Sequence, residues 1–460
     1  MNHILVIAAL VGWLQLLSNE VTVSAILFLC IARFLHNLDK RPAVLEIAAL
    51  IAVLQFIAAA VLMYRMGNDH SKYHMYVDEQ TYFSYAIPAT CCLLFGLFVQ
   101  LPGTIATFKA PTPQVRLNSL GIALVVSGFL CSVSVNYAPV QVRFVFFLLA
   151  QLRYVGVLYL YFNKSSARWA ATGLVCLSLI ADSTRSGMFH ELLLWGTLLP
   201  AFYFLARPPS MKLKVLFLAS VVCAVASIQL VKHEYRELLW SGRKASLSAV
   251  FLNTLAKGSA FGREWQEGLV MRVNQGWIVS AAMNHVPLLH GFANGETIRE
   301  AVVTAIVPRI LNDSKRTASG SDNTEEFTGL QIWGNTTMAL SPLGEAYVNF
   351  AELGGCAVML CFGLMLNLIY HWLLRLGHID QYFVFVIPLV FLQAIKMETE
   401  FLTVFNHLVK SSILVVGLYY VFIRDPRPAK HSRRPRARKT ANPRSCARSS
   451  RAASVRTAVR

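Results

Sequence analysis

Runs of apolar residues long enough to cross a lipid bilayer recur along most of this chain. A membrane-spanning helix needs about 20 mainly apolar residues, and residues 43–63 and 213–231 are two such runs. Only 14% of the residues are charged, against about 25% in typical soluble proteins. The sequence therefore predicts an all-α, polytopic integral membrane protein with about 12 transmembrane helices and one large outer loop. The predicted spans are 3–17, 21–35, 43–63, 85–101, 118–137, 141–162, 169–181, 188–206, 213–231, 345–374, 381–397 and 401–423.

The basic residues between these runs predict the orientation in the membrane. Cytoplasmic loops are enriched in Lys and Arg, and an inside N-terminus places the basic short loops, such as the one holding Lys40 and Arg41, in the cytoplasm. The chain then divides into nine spans at 1–231, a large outer loop at 232–344, and three spans at 345–423. Residues 424–460 carry thirteen Lys and Arg against one acid, which predicts a disordered cytoplasmic tail that contacts membrane lipids rather than nucleic acid.

The 232–344 segment is the part of the chain where a substrate is expected to be handled. A long extramembrane segment among short turns is uncommon unless it has a function. Its charges are mixed, with eleven Lys and Arg against ten Asp and Glu. Within it, the residues predict surface-lying helices at 245–257 and 264–283 and a flexible stretch at 317–328.

Three arginines in or beside the spans are candidates for anion contacts. Arg185 lies in the turn 182–187 between two apolar segments, where it could bind an anion with the help of the following helix start or simply lie beside Asp182. Arg143 and Arg153 lie within the apolar segment 141–162, and ionisable groups at membrane depth usually face a cavity or a partner. Arg143 could join an outer site, whereas Arg153 could pair internally.

A second group of cations lies in the loop, close to the span that follows it. Arg309, Lys315 and Arg316 follow one another within a few residues. The planar arginine fork matches phosphate oxygens, and lysine adds a point charge. The sequence predicts an anion-binding cluster here, with a solvated loop paired to Asp313 and Asp322 as the alternative.

The residues that open the tenth predicted span include a carboxylate. Glu345 and Tyr347 are predicted to lie at the outer surface, with Asn349 about one turn deeper than Glu345. Glu345 could accept a proton or hold a sugar hydroxyl, or it could compensate the charge of a helix N-terminus. Four histidines, none with a carboxylate at a convincing spacing, are alternative bases. These are His190, His233, His285 and His290.

Motifs for cofactors are absent from the sequence. Eight of the nine cysteines lie in apolar runs, where cysteine behaves as a small hydrophobe, and no spacing suggests a zinc site. No glycine-rich phosphate loop occurs either. The sequence predicts neither a metal nor a nucleotide cofactor.

Three patches resemble the Wzy-type O-antigen polymerases, also called oligosaccharide repeat-unit polymerases. They are TRSG at 184–187, VPRIL at 307–311, and SPLGEAYVNF at 341–350, which leads to the glycine pair at 354–355. Many spans with one large late outer loop also resemble this family. The likeness extends from about residue 120 onward and depends on few residues.

The resemblance implies glycosyl transfer between undecaprenyl-diphosphate-linked oligosaccharides at the outer face of a bacterial inner membrane. The leaving group is a diphosphate, so Arg309, helped by Arg185, is expected to stabilise its charge, and Glu345 to serve as the base for the acceptor hydroxyl. Membrane lipids and a chain-length regulator are the expected further partners. Two alternatives stay open: the related O-antigen ligase, and a lipid-linked sugar flippase or transporter.

Overall fold

The computed structural model describes most of the apolar part of the chain. It covers residues 17–67, 73–102, 107–108, 116–135, 137–240, 250, 253, 263–307, 320–332 and 338–423. These residues form helices and no strands, so the all-α prediction is confirmed for them. The first predicted span, the basic tail and the three loop cations Arg309, Lys315 and Arg316 lie outside the described residues.

The helices follow the apolar runs closely. Most of them begin and end within a few residues of the corresponding predicted span. Helix α2 contains one π-helical turn, Leu54–Ala58, and a second π-helical turn, Tyr419–Ile423, extends α17. The helices are α1 Asn19–Asn37, α2 Val44–Met66, α3 Glu79–Phe98, α4 Arg116–Ser134, α5 Val140–Ala150, α6 Leu152–Phe162, α7 Arg168–Ser186, α8 His190–Ala206, α9 Met211–Trp240, α10 Arg263–Val273, α11 Gly276–His285, α12 Glu296–Ile306, α13 Ser321–Thr328, α14 Ser341–Leu376, α15 Tyr382–Phe385, α16 Ile387–Phe391 and α17 Phe401–Leu418.

Seven segments in the described part are long and apolar enough to cross a bilayer. A multi-pass helical membrane protein is therefore consistent with the structure, whereas the full count of about 12 spans stays a prediction. Three shorter apolar helices, Asn118–Ser134, His190–Ala206 and Tyr382–Phe391, accompany the seven. The seven are Asn19–Asn37, Val44–Met66, Glu79–Phe98, Val142–Phe162, Met211–Gln229, Ser341–Leu376 and Phe401–Val421.

Helices α3 and α14 pack closely against each other and fix the position of the segment that begins at Ser341. Their backbones approach so closely that a Cβ atom on Gly96 would lie 2.6 Å from the carbonyl oxygen of Leu360. Small residues allow this kind of approach between membrane helices. The side-chain amide of Asn367 donates to the carbonyl oxygens of Gly96 (3.0 Å) and Val99 (2.9 Å), which fixes the pair in register.

Two of the predicted spans contain breaks that the apolar pattern did not place. Helix α14 breaks at Phe350 and Ala351, the latter with φ 56°, and not at the glycine pair 354–355. The amide of Asn349 donates to the carbonyl oxygen of Glu345, which closes the last turn before the break. The predicted span 381–397 is wrong in its second half. Its helix ends at Phe391, and the mixed apolar and polar residues that follow form turns and bends, with Met397 at φ 56°.

The predictions inside the loop are partly wrong as well. The helix expected at 264–283 is interrupted at Asn274, whose side-chain oxygen accepts from the amide of Gly276 at 2.8 Å. Most of α11 is buried, so it is not a surface-lying helix. The stretch expected to be flexible contains α13, which begins after Gly320 and ends before Gly329, and which buries Phe327 in the core.

Candidate functional site

The carboxylate of Glu345 joins the N-terminal ends of two helices that are distant in the sequence. Its Oε1 accepts from the hydroxyl of Thr297 at 2.8 Å, and its Oε2 accepts from the backbone amide of Phe401 at 2.7 Å. Thr297 lies in the first turn of α12, and Phe401 is the first residue of α17. A negative charge at the N-terminal end of a helix is stabilised by the helix dipole, and this carboxylate serves two such ends.

Asn349 completes a closed hydrogen-bond network around the carboxylate. Its amide nitrogen donates to the hydroxyl of Thr297 (2.7 Å) and to the carbonyl oxygen of Glu345 (2.7 Å). Its side-chain oxygen accepts from the backbone amide of Gly295 at 2.9 Å. The network therefore holds the start of α12, the first turns of α14 and the start of α17 together.

The motif at 341–350 is enclosed by protein. Glu345 and Asn349 are completely buried, at 0% exposure, whereas the expected position of Glu345 at the outer membrane surface stays a prediction. Tyr347 is also buried, with its ring against those of Tyr85 and Phe292. The long apolar run that follows Glu345 predicted the long helix α14 correctly, but the partners that enclose the carboxylate come from other helices.

An open polar cavity of about 480 Å³ lies beside this network. Gly295, whose amide is bound by Asn349, belongs to its wall. The cavity therefore lies next to the buried motif, but no residue of 341–350 is among its lining residues. Its walls carry both signs of charge, which suits a polar, hydroxyl-rich ligand. They are formed by His290, Phe292, Ala293, Asn294, Gly295, Glu296, Arg299, Glu326 and Phe327.

A histidine and a carboxylate meet at the cavity wall. The Nε2 of His290 lies 3.8 Å from Oε1 of Glu326, and both side chains are half-exposed. The Nδ1 of His290 lies 2.9 Å from the carbonyl oxygen of Gly291, and its ring packs edge-on against Phe327. In the sequence no carboxylate lies at a convincing spacing from His290, but the fold brings Glu326 close to it. Sequence spacing could not reveal the pair, because α13 supplies Glu326 from 36 residues away.

The structure places Arg185 at the end of a helix and not at the start of one. Arg185 is exposed in the last turn of α7, and Gly187, with φ 65°, forms the C-terminal cap. The predicted turn at 182–187 is wrong, because α7 continues through these residues as far as Ser186 and ends only at the glycine. Asp182 pairs with Arg153 at 3.0 Å, so the internal pairing considered for Arg153 is confirmed.

The two arginines predicted to join the site do not contact the buried network in this conformation. Arg143 is exposed in the first turn of α5. Within the residues that the structure describes, no hydrogen bond or ion pair connects Arg143 or Arg185 to Glu345. The loop cations lie outside these residues, between Val307, which caps α12, and Gly320, which precedes α13.

Comparisons of this chain with protein-family models, curated proteins and solved structures find no match.

Proposed function

We propose that this protein polymerises undecaprenyl-diphosphate-linked oligosaccharide repeat units by glycosyl transfer at the outer face of a bacterial inner membrane. The observation that carries the proposal is the position of the polar cavity. It adjoins, through Gly295, the motif at 341–350 that resembles the polymerase family. A cavity of about 480 Å³ has room for one or two sugar units of an acceptor.

The proposed chemistry needs positive charge at the donor and a base at the acceptor. Arg309, with Lys315 and Arg316, would bind the diphosphate that leaves from the donor sugar, since cations stabilise the charge that develops there. Arg185 and Arg143 would contact the lipid-linked substrates at separate points. The acceptor hydroxyl oxygen attacks the anomeric carbon, and the bond from that carbon to the diphosphate oxygen breaks.

We assign the acceptor base to His290, whose ring would be stabilised by Glu326, 3.8 Å away, once it has taken the proton, and a positioning role to Glu345. An exposed imidazole can receive the hydroxyl proton directly, whereas the carboxylate of Glu345 is enclosed and already accepts two hydrogen bonds. Asn349 and Tyr347 then hold the cavity wall in place from the inside. This assignment replaces the expectation that Glu345 itself takes the proton.

The test is chain elongation by purified variants in proteoliposomes that contain the lipid-linked repeat unit. Arg309→Ala should abolish the polymer ladder, and Arg309→Lys should restore it only in part because the planar fork is lost. The exposed Arg207, in a predicted inner loop, supplies the control Arg207→Ala. Full elongation by the Arg309→Ala variant at normal protein level would exclude the proposed role.

A parallel series tests the acceptor side. His290→Ala should lower the elongation rate by roughly 100-fold, the usual contribution of a general base, and Glu326→Gln should lower it less. His378→Ala is the matched control, since His378 is an exposed histidine at the other end of α14. If the His290→Ala variant elongated the chain at the same rate as the His378→Ala control, His290 would not be the base.

The same assay distinguishes the alternative functions by their products. A polymerase extends the lipid-linked chain, an O-antigen ligase transfers it to lipid A, and a flippase moves it across the membrane unchanged. Supplying lipid A together with the repeat unit therefore separates the three. Transfer to lipid A without elongation would establish the ligase instead.

A further inference from the structure

Helix α12 belongs to the predicted outer loop, yet it packs along the membrane helix α17. Both helices begin at the same carboxylate, because Thr297 and Phe401 each donate to Glu345. Two helices that start at one point and remain in contact must run in the same direction. Since Phe401–Val421 is long and apolar enough to cross a bilayer, α12 follows a membrane span from its outer end inward.

The face of α12 that contacts the protein consists of small residues. Thr297, Ala301, Thr304 and Ala305 are its buried positions. Small residues at this spacing let two helices approach closely, and they are typical of contacts between helices within membranes. This face is therefore built to lie against another helix over most of its length.

The opposite face of α12 changes from charged to apolar along the helix. Glu296 and Arg299, in and next to the first turn, are 74% and 77% exposed. Farther along, Val302, Val303 and Ile306 are 42%, 48% and 67% exposed. Arg299 and Ile306 are separated by about 10 Å along the axis, from the rise of 1.5 Å per residue.

Such a gradient matches the change from the headgroup region to the hydrocarbon of a bilayer. Charged side chains are favoured at the membrane surface and disfavoured farther in, whereas apolar side chains gain by leaving water. A helix surrounded by water would gain nothing from exposing three β-branched apolar residues at one end. The direction of the gradient also agrees with the direction of α17.

We infer that α12 enters the outer half of the bilayer beside α17, with Val302, Val303 and Ile306 against lipid acyl chains. Its eleven residues span about 16 Å, which is about half of the hydrocarbon thickness. The loop at 232–344 is then not entirely in water. Val307, at the start of the VPRIL patch, therefore follows the helix below the membrane surface. This position of α12 in the membrane is not part of the proposed function.

The test measures the environment of single spin labels on the full-length chain. The native cysteines are replaced, and one label is attached at Ile306→Cys, at Arg299→Cys or at Ile413→Cys. Ile413 is the lipid control, because it lies on α17 with the same 67% exposure as Ile306. The protein is placed in vesicles of phosphatidylethanolamine and phosphatidylglycerol, and collisions with oxygen and with a water-soluble nickel chelate are measured.

The label at Ile306 should have an oxygen-to-nickel collision ratio close to that at Ile413. This ratio should exceed the ratio at Arg299 by about tenfold, because hydrocarbon excludes the polar chelate and dissolves oxygen. Equal ratios at Ile306 and Arg299 would place the helix in water and overturn the inference. Low collision rates with both reagents at Ile306 would show that protein covers this face, and would overturn it as well. Neither outcome depends on polymerase activity.

Discussion

Replacing Thr297 by valine tests whether the buried network holds the three helix ends together. Valine has nearly the shape of threonine but lacks the hydroxyl, which donates to Glu345 and accepts from Asn349. The substitution therefore removes two hydrogen bonds at once. It leaves the carboxylate, at 0% exposure, with the amide of Phe401 as its remaining donor among the contacts described above.

The magnitude follows from the charge and the burial of the groups. A hydrogen bond to a charged group contributes about 1.5–3 kcal/mol, and a buried group left without its partner costs a similar amount. Asn349 keeps its bond to the carbonyl oxygen of Glu345, so its own loss is small. We expect the free energy of unfolding of Thr297→Val to fall by about 2–3 kcal/mol.

The assay is unfolding of the detergent-solubilised protein by increasing fractions of sodium dodecyl sulfate, followed by circular dichroism. Thr304 supplies a matched control, since it is buried two turns farther along the same face of α12. No hydrogen bond from its hydroxyl occurs in the part of the chain that the structure describes. Thr304→Val should therefore change the free energy of unfolding by less than about 1 kcal/mol, and Thr297→Ser should restore most of the loss.

Two results would contradict the reasoning. If Thr297→Val and Thr304→Val were equally stable, the hydroxyl of Thr297 would contribute nothing beyond its shape. If Thr297→Ser were as unstable as Thr297→Val, keeping the hydroxyl would not preserve stability, and the two hydrogen bonds could not be the main contribution of this side chain. Either result would contradict the positioning role that we assign to Glu345.

Three further predictions concern the core and the orientation. Glu345→Gln should lower the free energy of unfolding by about 1–3 kcal/mol. The new amide nitrogen cannot accept one of the two hydrogen bonds that Thr297 and Phe401 donate. An unfolding curve like that of the unmodified chain would contradict this prediction. Gly96→Leu should destabilise the α3–α14 pair by 1 kcal/mol or more, in the range of about 1–3 kcal/mol typical of overpacking, since a backbone carbonyl lies 2.6 Å from the new Cβ atom; the same unfolding assay measures it. Reporter fusions at Gly295 and Ala429 should lie in opposite compartments, and a shared compartment would refute the predicted orientation.

The positions of the membrane helices were predictable because the signal is local. An apolar run of sufficient length identifies a span without reference to the rest of the chain, and the start of α14 was placed within a few residues of Ser341. Breaks were harder to place. The residues after Phe391 are still largely apolar, as Leu392, Ala394 and Ile395 show, so the apolar run continues past the point where the helix ends.

The candidate site could be predicted only in part, because its contacts join distant residues. Glu345 looked like an exposed carboxylate at the start of a span, whereas its donors come from 48 residues before it and 56 after it. His290 lies in the turns that follow α11, whereas Glu326 lies in α13. Helix α12 was missed as a membrane element since its apolar face is too short to resemble a span.

The shared carboxylate also implies an order of assembly during synthesis. Thr297 is made more than a hundred residues before Phe401, so α12 leaves the ribosome long before the helix against which its small residues pack. Until α17 is present, the small-residue face of α12 has no helix to pack against, and nothing holds α12 in the membrane. We expect α12 to insert late, only after α17 has been made. A chain that stops after residue 376 should therefore leave a cysteine at position 306 reactive with a water-soluble maleimide, whereas the complete chain should protect it.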